Sequence, residues 1–312
     1  MSSKRAVVFF VTFTSYGLYH ASRKALSGVK SSIMSDWMSN STHPPLFEHD
    51  ADAKHFLGSL DAIFMTAYAA ALFFWGMLGD RLNPKYVVAA GMVGSAVTLT
   101  LFGTIPKLLN FYSIYYYILT YIAFGLVQAC GWPSEIAIMA AWFGKGNRGF
   151  IMGAWAACQP VGNIFGSIFT ALVLPMGYEY TFLLNSLLIL IGAIIVFISI
   201  DSKPQDSEGS YNNLEENNTS QPALAGNTQA MSTVSGLLDG TGSAGSAIGQ
   251  VLIPVIQEDL GWKAVFYVFM VLNVFAILAI SKRFIADMKS LRRIRNGEES
   301  PLLDGDDEQH ED

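Results

Sequence analysis

Five side chains within residues 16–24, Tyr16, Tyr19, His20, Arg23 and Lys24, interrupt an otherwise apolar stretch and could together hold an anion. Tyr16, Tyr19 and Arg23 are three and four residues apart, so a helix would carry two phenols and a guanidinium on one face. A planar guanidinium offers parallel N–H donors to phosphate oxygens, and phenols can bond phosphate or hydroxyl groups. Lys24 and His20 would raise the local positive potential. Cost frames the argument: an arginine near the bilayer midplane costs roughly 2.5–3.5 kcal/mol on insertion scales, so it is retained where it meets a cavity or a partner. The competing account is an arginine at a helix end whose head reaches the lipid headgroups.

The surrounding chain reads as a membrane protein. Of 312 residues 52% are hydrophobic and 14% charged, and the charges fall in short intervals between long apolar runs. That pattern predicts an all-α polytopic fold. Eight spans are expected: from about Ala6 to about Ala25, then 56–78, 86–105, 112–140, 149–174, 178–200, 231–257 and 263–281. GVKSSIMSDW after the first run could continue its helix, which would place Arg23 near the middle of a long element. Residues 1–200 thus form a six-helix half, 201–230 a polar acidic linker, 231–281 two further helices and 282–312 an acidic tail.

Counting cations gives an orientation. With the N-terminus inside, thirteen inner lysines and arginines face four outer ones, Lys30, Lys54, Lys107 and Lys263, which puts both termini in the cytoplasm. The Asn40-Ser41-Thr42 sequon then lies outside, where Asn40 could be glycosylated. The net charge of −6 comes largely from linker and tail, so it points to no nucleic-acid partner. Cys130 and Cys158 lie inside apolar runs, which leaves no disulfide framework, metal spacing or cofactor motif. No nucleophile–base arrangement suggests an enzyme. The first run is too polar toward its end, and too bare of a small-residue cleavage site, for a signal peptide.

Further motifs lie between and within the spans. Gly76, Gly79, Asp80 and Arg81 sit between spans two and three, where small residues permit close helix approach and Asp80 could cap a helix or pair across an inner gate. Two formal GxGxxG strings, at 144–149 and 240–245, follow no strand. The first reads as a cationic inner loop, and the second, extended by Gly249, as a small-residue packing stripe; Gly162 and Gly166 form another. Asp61, Glu135, Gln159 and Asp239 are intramembrane polar groups that need partners or a cavity, whether for helix bonding or transport. Gln128, Trp132 and Asn163 carry less signal, and Trp132-Pro133 reads as a bend. The tyrosines from Tyr112 to Tyr121 read first as an interfacial belt. Glu298, Leu302 and Leu303 in the tail have the spacing of an acidic dileucine signal for endosomes and lysosomes.

Taken together, YHASRK (19–24), GDRLN (79–83), GWP (131–133), WFGKGNRGFIMG (142–153), VGNIFGS (161–167) and STVSGLLDGTGSAGSAIG (232–249) resemble the sugar-phosphate exchanger family. This is the glucose-6-phosphate translocase group, in the organophosphate:phosphate antiporter branch of the major facilitator superfamily. The resemblance implies two six-helix halves and alternating access around a midplane phosphate site, with Arg23 matching the first-helix arginine that holds phosphate. It also implies that Gln159 stands close to where some relatives have a histidine. Spans seven and eight are similar to family helices eleven and twelve, whereas helices seven to ten have no counterpart here. Two functions follow as expectations. One is exchange of an organophosphate or sugar phosphate for inorganic phosphate in an endoplasmic-reticulum or endolysosomal membrane. The other is a non-transporting membrane subunit that binds or regulates a full-length relative.

Overall fold

A computed structural model describes residues 3–38, 44–143, 148–201 and 231–295. Asn40, the linker 202–230 and the tail residues Glu298, Leu302 and Leu303 lie outside the described residues, as does most of the 144–149 glycine string. Every regular element is helical: α1 (Ser3–Met38), α2 (Asp50–Gly79), α3 (Pro84–Gly103), α4 (Ile105–Leu109), α5 (Ile114–Gln128), α6 (Gly131–Trp142), α7 (Arg148–Ala156), α8 (Cys158–Val173), a 3-10 turn (Leu174–Met176), α9 (Tyr178–Ser199) and α10 (Met231–Arg295).

The helix α1 does run through GVKSSIMSDW, for 36 residues. At about 1.5 Å per residue Arg23 stands about 30 Å from its start, well away from either end. Spans four and five are each broken in two. The fourth bends at Ala129 and Cys130, just before Trp132-Pro133, and the fifth at Ala157. Among the described residues six helices are long and apolar enough to cross a bilayer, Met231–Ser281 counting as one stretch. The count of eight therefore turns on two elements: the polar α1, which is not among the six, and α10, whose Gly261 (φ 77°, ψ 171°) breaks the helix between the last two expected spans.

The chain divides into two units, Met1–Val251 and Leu252–Asp312. In the first, α1 packs on α8 and α9, α3 on α9 and α5, and α2 on α5. Close approach explains the α1–α8 pair: a Cβ on Gly162 would stand 2.8 Å from the Gly17 Cα, and one on Gly166 2.6 Å from the Ala21 carbonyl oxygen. Two apolar clusters divide the core. One gathers Ala25 to Trp37 of α1 with Leu60, Phe64, Phe102 and Tyr121. The other gathers Val8 to Tyr19 of α1 with Met92, Met139, Trp155 and Ile189. Arg23 falls between them. In the second unit α10 continues past Pro254 and Gly261 with large apolar side chains such as Phe266, Phe269 and Phe275 exposed.

The tyrosine belt expected at 112–121 is only partly a belt. Tyr115 is exposed, but Tyr117 and Tyr121 are buried against Trp37, Phe102 and Phe64. Along 240–249 the packing stripe is shorter than expected. Gly240 lies against Phe73, whereas Gly242, Gly245 and Gly249 have nothing within 4 Å among the described residues. The close crossing falls one turn earlier: a Cβ on Gly236 would lie 2.9 Å from the Cα of Gly76.

Candidate functional site

Arg23 is fixed by a directed relay of hydrogen bonds. Ser22 Oγ donates to the Tyr19 carbonyl (2.7 Å) within α1. Gln128, buried at the end of α5, donates its amide to Ser22 Oγ (2.9 Å). With its NH2 so used, the amide oxygen of Gln128 points at Arg23 and accepts from Nε (2.9 Å). Below, the guanidinium carbon lies 4.4 Å from the ring centroid of Tyr68 on α2 and 5.9 Å from that of Phe64. A cation over an aromatic face gains about 0.5–2 kcal/mol, more as water is excluded. Arg23 Nη2 is buried with no hydrogen-bond partner, and Arg23 forms no ion pair among the described residues. A buried donor left unmet costs about 1–3 kcal/mol, more when charged.

The expected residues divide by where their polar atoms go. Tyr16 is buried, its ring 5.0 Å from His20, 5.1 Å from Trp132 and 5.8 Å from Trp155. His20 Nε2, like Arg23 Nη2, is buried without a partner. Lys24 is half-buried one residue further and makes no ion pair among the described residues. Tyr19 turns elsewhere: fully buried, it donates to the Val88 carbonyl of α3 (3.0 Å), the role of a packing hydroxyl. Gln159 is half-buried at the start of α8, and no hydrogen bond joins it to Arg23 or His20 among the described residues. The structure thus brings Tyr16, His20 and Arg23 onto one stretch of α1 and sends the Tyr19 hydroxyl to a neighbouring helix.

Three residues that met the guanidinium or its support were not assigned to it from sequence. Gln128 carried little signal, being one polar residue in an apolar run, and Tyr68 carried none beyond its four-residue spacing from Phe64. Asp239, on α10, accepts from Tyr68 Oη at 3.2 Å. Glu135 behaves differently: fully buried on α6, it accepts from Ser15 Oγ (2.7 Å) with Oε1, and its Oε2 has no partner. Asp61 is ion-paired with Lys30.

At the other end of α2, Gly76, Asp80 and Arg81 take up distinct places. Gly76 is buried where α10 crosses, and Arg81 is exposed. The Asp80 carboxylate accepts from the backbone N–H groups of Ser232 and Thr233, each at 3.0 Å, and from the Thr233 hydroxyl. It caps the first turn of α10 from another element, which meets orphan donors and sets an anion at the positive end of the helix.

Against known proteins, a family model described as Major Facilitator Superfamily matches residues 13–225. "Sugar phosphate exchanger 3" of Xenopus laevis is 40% identical over 242 residues, 71% of this chain and 48% of that protein. The protein of the same name from Gallus gallus is 43% identical over 64% of this chain and 43% of its own length. A "Putative glycerol-3-phosphate transporter 5" of Arabidopsis thaliana is 37% identical over 64% of this chain and 41% of its own length. The chain thus spans less than half the length of these relatives. Among solved structures, the proton:xylose symporter XylE bound to 6-bromo-6-deoxy-D-glucose aligns with TM-score 0.50 at 12% identity, over 85% of this chain and 56% of that one, a likeness of fold alone.

Proposed function

The chain belongs to the major facilitator superfamily, and on that premise we propose that Arg23 holds the phosphate of an organophosphate or sugar phosphate exchanged for inorganic phosphate. One observation carries the reading. A guanidinium deep in the helical core is braced by Gln128 and Tyr68, yet keeps a buried Nη2 without a partner. A phosphate oxygen would meet that donor and neutralise the charge. His20 and Tyr16 stand one turn and two turns away to take further oxygens, Lys24 raises the potential, and Gln159 lines the α8 side. Gly76, Asp80 and Arg81 form an inner gate in this reading, with α10 released or held through the Asp80 cap. The relatives' printed names, sugar phosphate exchanger and putative glycerol-3-phosphate transporter, supply the substrate class. The test is phosphate:phosphate exchange in proteoliposomes. Arg23→Lys keeps the charge and loses the fork, so exchange should vanish; unchanged exchange removes Arg23 from the site.

In this reading the chain crosses an endoplasmic-reticulum or endolysosomal bilayer with both termini cytoplasmic and Asn40 on the far side. Alanine at Leu302 and Leu303 should move the protein to the cell surface, scored by surface biotinylation, and an unchanged distribution discards the sorting signal. A second reading, a non-transporting subunit that docks on a full-length relative, is favoured by α10. Its Gly242, Gly245 and Gly249 present an open small-residue edge among the described residues.

A further inference from the structure

Tyr68 faces two ways, and the second way is not explained by holding phosphate. Its ring supports Arg23, while its hydroxyl donates to Oδ2 of Asp239 on α10. The carboxylate is therefore tied to the same phenol that carries the guanidinium, and no ion pair joins the two among the described residues. The other cations that form ion pairs are taken: Lys30 by Asp61, Lys107 by Asp36 and Lys54 by Asp50. Half-buried, Asp239 has Oδ1 in no hydrogen bond among the described residues. A phosphate on Arg23 would place a second negative charge near this one, which opposes binding unless the ligand brings donors to offset it.

We propose that Asp239 is the hydroxyl-recognising part of the Arg23 site, accepting hydroxyl groups from the organic moiety of a polyol phosphate whose phosphate lies on Arg23. The inference rests on the phosphate reading above and adds its specificity. The arrangement suits it: a three- to six-carbon polyol phosphate has its hydroxyls a few bonds from phosphorus, and Tyr68 touches both the guanidinium and the carboxylate that would receive its two ends. A carboxylate bound to hydroxyls makes charge-assisted bonds, about twice as strong as neutral ones. A phosphate ester without hydroxyls meets the same carboxylate as bare repulsion. Asp239 thus rejects simple alkyl phosphates while favouring polyol esters, a discrimination that needs no further pocket wall.

The full chain in lipid nanodiscs tests this through tryptophan fluorescence, since Trp132 and Trp155 both lie against Tyr16. The probes are glycerol 3-phosphate, ethyl phosphate and inorganic phosphate, the first two being esters of equal charge that differ in hydroxyls. The wild-type chain should bind glycerol 3-phosphate more tightly than ethyl phosphate. Asp239→Asn keeps the shape and the Tyr68 bond; it should weaken glycerol 3-phosphate about tenfold, the loss of one charge-assisted hydrogen bond, and tighten ethyl phosphate. Tyr68→Phe, which leaves the ring under Arg23 and unties Asp239, should shrink the same preference if the asparagine variant does not fold. Equal weakening of all three probes would make Asp239 a mere counter-charge to Arg23 and overturn the proposal, as would no change. A wild-type chain that binds none of them overturns the phosphate reading first. One that binds phosphate but shows no preference between the esters overturns only the role of Asp239.

Discussion

Arg23 and Asp36 lie thirteen residues apart on the same helix, and their surroundings are opposites. Asp36, near the end of α1, accepts from Tyr178 Oη (2.6 Å) and Tyr112 Oη (2.9 Å) and is ion-paired with Lys107. Three separate parts of the chain converge on one carboxylate. Among the described residues Arg23 has one hydrogen-bond acceptor, an aromatic platform and a buried donor with no partner. A charge whose partners come from the protein is a fastener, stabilising the fold in every state that keeps those partners. One whose partners are short by a single group carries a standing cost, and that cost is recovered only when something else arrives.

The comparison breaks most sharply if the two residues are exchanged as targets. Arg23→Lys should lower inorganic phosphate affinity about 100-fold, the combined loss of paired charge-assisted bonds, with a smaller shift of the melting midpoint in detergent than Asp36→Ala gives, because only the Gln128 bond and the ring contacts are at stake. Asp36→Ala should do the reverse. It removes the acceptor shared by Lys107, Tyr112 and Tyr178, costs about 2 kcal/mol of stability, and leaves phosphate affinity where it was. Thermal melts and phosphate titrations on the same two preparations decide it. If Arg23→Lys melts much lower and Asp36→Ala loses phosphate, fastener and binder have been assigned the wrong way round.

Much of this was legible in the residues, and the reason some was not is physical. Helical spans and their order follow from hydropathy, which depends on composition over a window and so survives without knowledge of contacts. Arg23 announced itself because a guanidinium among apolar residues is costly wherever it points. Its partners had no such signature. Gln128 and Tyr68 are inexpensive in a helix, and they become site residues only because α5 and α2 bring them to α1. Tyr19 shows the converse. Its spacing from Tyr16 and Arg23 put it on the same face, yet α3 packs close enough for the Val88 carbonyl to claim its hydroxyl. Periodicity assigns a residue to a face of its own helix and leaves open which neighbour that face meets.

The same contrast between met and unmet groups runs along α10, with smaller expected effects. Gly236 is met: a Cβ there would lie 2.6 Å from the Leu72 carbonyl oxygen and 2.9 Å from the Cα of Gly76, both backbone atoms that cannot swing aside. Gly236→Ala should therefore cost about 1–3 kcal/mol through overpacking at the α2–α10 crossing. Gly245 is unmet, with nothing within 4 Å of a Cβ there among the described residues. In a helix interior alanine is preferred to glycine by about 0.5–1 kcal/mol because it gives up less backbone entropy, so Gly245→Ala should raise the melting midpoint of the isolated chain slightly. The sign of that small shift is informative. Where another helix seats itself on the Gly242–Gly249 edge in the bilayer, an added methyl removes the close approach that glycine permits, and the gain turns into a loss. Gly245→Ala measured in detergent and again in native membranes therefore separates the two functional readings. A gain in both leaves α10 facing lipid, as a self-sufficient carrier would have it, and a gain that reverses in the membrane identifies this edge as the seat of a partner helix.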